Sequence, residues 1–149
     1  MGKVDQSMDK QPEPAPKPIT KAEYETLATF RYVLRQFLHF SEEASTAIGL
    51  TPQSHQAMLA IKGFPNRDYV TIGELAERLQ IRHHSTVGLV DRMVAQDLVT
   101  REPASDQRYV YVKLTDRGAN LLEQLTAAHR DELRRIRPQL TLLLGTLEV

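Results

Sequence analysis

The residues able to do chemistry in this chain are few, and most of them sit together. Arg82-His83-His84-Ser85-Thr86 is a polar run without an acid, followed by Gly88 and Arg92. These are groups for anions and base edges: arginine fits guanine or phosphate, and hydroxyls bond either. Amides at a helix start favour phosphate too. Gly88 would let a helix lie close to a groove. Arg92 is placed to pair with Asp91, with an acid elsewhere, or with phosphate. A second constellation is Asp106-Gln107-Arg108, an acid holding a base two residues away. The plainer alternatives are a solvated helix start and a surface ion pair, which is worth little.

Other chemistries find little support. There is no cysteine, so disulfides, thiolate metal sites and a thiol-based peroxide sensor are excluded. The five histidines do not make a metal signature. His83 and His84 are adjacent and diverge on a helix, while His39, His55 and His129 fall in three separate helical segments. No H-E-x-x-H spacing occurs. No cofactor and no metal are expected, although a metal-responsive regulator stays as an alternative. Nucleophile-elbow, phosphate-loop and kinase motifs are absent, so the chain is not expected to be an enzyme.

The elements that must position the first cluster lie between Thr71 and Thr115. Thr71 and Glu74 have capping-box spacing, which starts a short helix carrying Leu75, Ala76 and Leu79 on one side. A break at Gln80–Arg82 precedes a second helix from near His83, with Leu89, Val90, Met93 and Val94 at helical spacing. The period then changes. Leu98–Glu102 and Arg108–Leu114 read as strands, with Val110, Val112 and Leu114 alternating and Pro103–Gln107 as the turn. Two short helices and a hairpin form a winged helix-turn-helix. Its second helix suits the major groove, and its hairpin suits the minor groove.

The ordered motifs ELAERL, LVDRM, LV-x-R-E, Asp106-x-Arg108 and V-x-L-T-x-x-G from Val112 to Gly118 resemble the MarR family of bacterial transcription regulators. The resemblance covers about a third of the chain directly, and the flanking helices suit the same layout. In one respect the sequence departs: Arg82 stands where a Ser or Asp often caps the second helix. The resemblance implies a dimeric repressor, with Arg108 as a wing-tip arginine steadied by Asp106. It implies dimerisation through the first and last helices. It also implies a small aromatic or phenolic effector in a cleft between the DNA-binding lobe and those helices, where His39, Phe40, His55 and Met58 are candidates. A winged-helix protein-interaction module that does not bind DNA is the rival reading.

The rest of the chain fits around this core. Residues 1–18, with Pro12, Pro14, Pro16 and Pro18, read as a disordered tail, and 19–149 as one domain. The winged core spans about 50–115, and long helices at about 20–48 and 115–149 serve as dimerisation helices. Along Thr20–Ile48 two stripes overlap, Leu27-Phe30-Leu34-Phe37-Ser41 and Val33-Phe37-Phe40-Ala44-Ile48. That arc is wide enough for the chain's own domain and a partner subunit. Gly49 ends this helix, Thr51-Pro52 opens the next, and Gly63 stops it. Val70 suits a short strand beside the wing. Thr115 caps a last long helix with the seam Leu122, Leu125, His129, Leu133 and Ile136. Pro138 is expected to break that helix and open a final one lined by Leu140, Leu143, Leu144 and Leu147.

At 149 residues the chain can bury a core, and its 41% apolar and 26% charged content is ordinary for a globular protein. A formal net charge of zero predicts weak non-specific binding to nucleic acid and reliance on a few placed contacts. No apolar run approaches the roughly 20 residues that span a bilayer. Without a signal-like apolar start, a cytoplasmic location and no membrane contact are expected. The expected partners are a second copy of the chain and double-stranded DNA with a pseudo-palindromic operator, matching the two-fold of a dimer.

Overall fold

The computed structural model describes residues 11–147. The first ten residues of the predicted tail, and 148–149, lie outside the described residues. From residue 11 to 20 the chain is exposed and has no regular secondary structure.

Five helices and three strands follow in the order α1 (Lys21–Ala47), α2 (Pro52–Lys62), β1 (Tyr69–Thr71), α3 (Ile72–Leu79), α4 (His83–Ala95), β2 (Val99–Pro103), β3 (Val110–Leu114) and α5 (Asp116–Gly145). The fold is mainly α with one small antiparallel sheet, ordered β1-β3-β2. This is the winged helix-turn-helix that the period change predicts, flanked by two long helices.

Threonine starts four of the five helices. Thr20, Thr51, Thr71 and Thr115 each accept a bond from the amide three residues on. At Thr71 the capping box is reciprocal, with the Thr71 amide donating to Glu74 Oε1 at 3.0 Å. Arg67 holds the same carboxylate and lies over the rings of Phe64 and Tyr69 at 4.4 and 5.2 Å. Burial pushes the Glu74 carboxyl up. The Thr71 amide, the Arg67 guanidinium and the Thr71 hydroxyl together more than offset this and leave it below its usual value. Helix ends are equally local. Gly49 takes φ +81° after α1, and Gln80 and Asp97 take left-handed φ of 56° and 57° after α3 and α4. At α4 the Leu98 amide reaches back to the Met93 carbonyl at 2.9 Å, closing a Schellman-type end.

The core lies where α2, α3 and α4 meet the sheet. Met58, Ile61, Leu75, Leu89, Met93, Leu98, Val70 and Val112 are all fully buried. Each such side chain contributes on the order of 1.5–3 kcal/mol relative to exposure. Val112 pairs in register with Val70 on one side and Arg101 on the other. Only part of the predicted β3 alternation faces this core. Val112 is buried and Leu114 half-buried, while Val110 is exposed because the hairpin has by then left the body. Pro103 sits on the sheet edge, where its missing amide costs no ladder bond.

One predicted boundary is wrong. Pro138 does not break the last helix: α5 runs unbroken for 30 residues with Pro138 inside it. Both Pro138 and Arg134 are exposed. The carbonyl that loses its amide partner therefore turns to water, and packing on both sides of the proline carries the helix through.

The start of α5 is tied to the turn after α4. The Thr115 amide donates to the Leu98 carbonyl at 3.0 Å, its hydroxyl to Asp97 at 2.6 Å, and Arg117 Nε to the Gln96 carbonyl at 3.3 Å. Gly118 is essential there: a Cβ would lie 2.2 Å from the Leu98 carbonyl oxygen.

Candidate nucleic-acid interface and the cavity behind it

Helix α4 has two faces. Thr86, Leu89, Val90 and Met93 point inward and are buried. Arg82, His83, His84 and Ser85 are exposed at its start, and Gly88 and Arg92 continue the outer side. Thr86 thus does not join the surface that its sequence neighbours form. Its hydroxyl donates to the Arg82 carbonyl at 3.0 Å and its side chain is fully buried. It falls three residues before Leu89 and four before Val90, the spacing of the apolar stripe, and that phase was available in the sequence.

Arg82 is the N-cap of α4 but makes no side-chain capping bond. The amides of its first turn therefore keep donor capacity that threonine consumes at the other four helices. No acid occupies that turn. Arg92 is exposed, runs back over Gly88 and makes no ion pair among the described residues. Asp91 is taken by Arg101 of β2 instead, which ties α4 to the base of the hairpin.

At the hairpin tip, Arg108 grips Asp106 in a fork, with Nη2 to Oδ2 at 2.8 Å and Nε to Oδ1 at 3.1 Å. The Arg108 amide adds a bond to Oδ1 at 3.2 Å. These side-chain and backbone bonds hold the Asp106 carboxyl below its ordinary value and raise the guanidinium. Both residues are exposed, and Tyr109 beside them is half in solvent. The fork fixes a cation at the outermost point of the wing.

Behind the winged core, α1, α2 and α5 enclose a cavity of about 560 Å³. Of the four residues expected there, only His55 lines it. Met58 is fully buried in the core, His39 is exposed on α1 and paired with Glu43 at 3.1 Å, and Phe40 packs edge-on against His129 at 5.3 Å. The sequence reading missed Phe37 and His129 on the wall and Arg130, Arg134 and Arg137 around it. One signal was present: His129 interrupts the apolar seam Leu125–Leu133 with a polar ring. Burial, and then the neighbouring His129, lower the pKa of His55.

The outer side of α1 exposes Tyr24, Leu27, Leu34 and Leu38, and the end of the chain exposes Leu142, Leu144 and Leu147. An apolar hollow of about 210 Å³ joins the two between Leu27, Phe30 and Leu147. No helix of the described residues is long and apolar enough to cross a membrane.

A model of the MarR family matches residues 48–108, from the end of α1 to the wing tip. A search of curated proteins finds no match. Among solved structures, the fold is similar to AbsC, a MarR family transcriptional regulator from Streptomyces coelicolor. It has a TM-score of 0.68 and 23% identity, over 84% of each chain. It is also similar to MepR, a transcription regulator of the multidrug efflux pump MepA in Staphylococcus aureus. Here the TM-score is 0.66 and the identity 18%, over 87% of this chain and all of that one. A mutant MepR bound to an oligodeoxyribonucleotide matches with TM-score 0.63 and 19% identity, over 84% of this chain and 98% of that one. The match to the MarR family model thus covers the helix-turn-helix and wing of this chain, and the solved structures share its fold beyond them.

Proposed function

We propose that this chain is a cytoplasmic, sequence-specific DNA-binding regulator of transcription, acting as a homodimer on a pseudo-palindromic operator. The observation that carries the reading is the start of α4: exposed, free of acids, uncapped by a side chain, and held beside a wing that ends in Arg108. In this reading Arg82, His83, His84, Ser85 and Arg92 meet the major groove and its phosphates. Gly88 allows close approach. Arg108, steadied by Asp106, enters the minor groove. The unpartnered leucines of α1 and of the chain end join two copies, since an apolar face of this extent is unusual on a monomer.

The regulator acts as a repressor released by a small apolar or aromatic molecule in the cavity between α1, α2 and α5. Such a molecule shifts DNA binding only by binding better to the arrangement that does not fit the operator. DNA-bound MepR supports the nucleic-acid reading. The zero net charge is the one feature that favours a protein-interaction module instead.

Selection of bound duplexes from a random pool tests the proposal. A two-fold site with half-sites roughly 34–36 Å apart, bound with a steep salt dependence, is the expected outcome. A chain that enriches no sequence and binds duplex with no salt slope is an interaction module.

A further inference from the structure

Three helices meet at a pair of imidazoles. His55 of α2 is only 4% exposed, and its ring centroid lies 4.8 Å from that of His129 on α5. His129 is fully engaged: Nδ1 is 2.6 Å from the Leu125 carbonyl oxygen and Nε2 is 2.8 Å from Ser41 Oγ of α1. A carbonyl only accepts, so Nδ1 carries a proton, and in the neutral ring Nε2 accepts from the Ser41 hydroxyl. Phe37 and Phe40 of α1 close the other sides edge-on at 5.8 and 5.3 Å. His55 has no hydrogen-bond partner among the described residues. Its nitrogens are not sealed off, so they open on the cavity.

The charges facing the pair share one sign. From α5 come His129 itself and Arg130, Arg134 and Arg137, all lining the cavity. Glu132, three residues after His129 on α5, is already held by Arg135 at 2.6 and 3.0 Å. From α1 come only Phe37, Phe40 and Ser41, and α2 brings no charge to the cavity.

We propose that this pair is a proton sensor, in which neutral His55 lets α2 pack against α1 and α5 and its protonation loosens that junction. The inference rests on reading α2 through the wing as the DNA-binding lobe. A proton on His55 finds no acceptor among the described residues and faces Arg130, Arg134 and Arg137. Only a wetter, opened junction takes it readily.

The sign follows. Burial and His129 hold His55 below the ordinary imidazole value of about 6.5 in the packed arrangement. A base depressed in this way favours packing above about pH 6.5. That contribution is lost as the pH falls below it and levels off beneath the packed-state value. Exposed His83 and His84 lie on the proposed DNA-reading face, so their effect must be removed.

The test therefore compares His83→Gln/His84→Gln protein with and without His55→Gln, from about pH 7.5 to 5.5. Proton NMR follows the imidazole signals, calorimetry follows the thermal midpoint without DNA, and isotherms follow the selected operator. His55 is expected to titrate below about 6.5, and the midpoint to drop more steeply with its imidazole present. Operator affinity should diverge between the two proteins by up to about tenfold per unit of pKa difference between arrangements. Superimposable profiles, or a His55 titration at or above the ordinary value, overturn the proposal. If His55→Gln does not fold, His129→Gln provides the same comparison. If the parent chain, with His83 and His84 in place, binds no operator at any pH, the DNA reading fails, while the NMR and calorimetric results still decide on the sensor.

Discussion

Ser85 and Thr86 differ by one methyl group and one step of helical phase, and the phase decides their roles. Thr86→Val removes a bond to the Arg82 carbonyl, which keeps its backbone partner, the Thr86 amide, at 3.0 Å. The expected cost is about 1 kcal/mol of stability with the preferred bases unchanged. Ser85→Ala should instead alter the central bases of the selected site; an unaltered site would remove Ser85 from the reading surface. At the wing, Arg108→Ala should fold normally and lower the salt slope by about one. It should also weaken preference for narrow A·T flanks. Asp106→Ala should give a milder loss, through a less ordered arginine. Isotherms across a salt series, on operators with A·T and G·C flanks, measure both, and parental behaviour of Arg108→Ala would make the wing merely structural. Asp106 is held below the ordinary carboxylate value by its bonds to Arg108. The fork is therefore fully present above about pH 4 and is lost only as the pH falls through that depressed value. This pair was legible because an acid and a base two apart sit in a turn. Thr86 was misread because the polar run was taken as a surface before its phase was counted.

The helices were legible from their ends. Threonines before an acid or a proline, and Gly49 after the first long stripe, mark boundaries through bonds made within a few residues. Pro138 misled for the complementary reason: its local rule is strong, but the opposing force comes from packing elsewhere along α5. The proline still lacks a bond. Pro138→Ala should raise the thermal midpoint, by up to the ~3 kcal/mol that separates the two residues inside a helix. An unchanged or lower midpoint would mean that the proline fits a bend the packing requires. Gly118→Ala tests the opposite case. Its methyl would meet the Leu98 carbonyl oxygen, so a loss of about 1–3 kcal/mol is expected in denaturant titrations, together with weaker operator binding. No periodicity announces that contact, because it depends on two elements that meet only in the folded chain.

At the scale of the molecule, the inward stripe of α1 packs on its own chain while Leu27, Leu34 and Leu38 face out, close to the split that the wide apolar arc predicts. Deleting Leu140–Val149 should yield monomers or aggregates. In the intact protein the thermal midpoint should rise with concentration, as a folded dimer requires. A truncated chain that sediments as a soluble dimer counts against this assignment. The cavity was the least legible feature: its walls come from three helices far apart in sequence, and only the polar break at His129 hinted at it. The bonds from Thr115 and Arg117 to Gln96, Asp97 and Leu98 have a mechanical consequence. They form a fulcrum. On one side α5 extends 30 residues, about 45 Å, toward the exposed leucines. On the other, α4 extends 13 residues, about 20 Å, to Arg82. The arms differ about twofold, so a rigid tilt that moves the far end of α5 by about 2 Å moves the reading end of α4 by about 1 Å. Small repackings among the terminal leucines are thus geared down to shifts of about 1 Å or less at Arg82, the scale on which, in the proposed reading, a side chain meets a base edge or misses it.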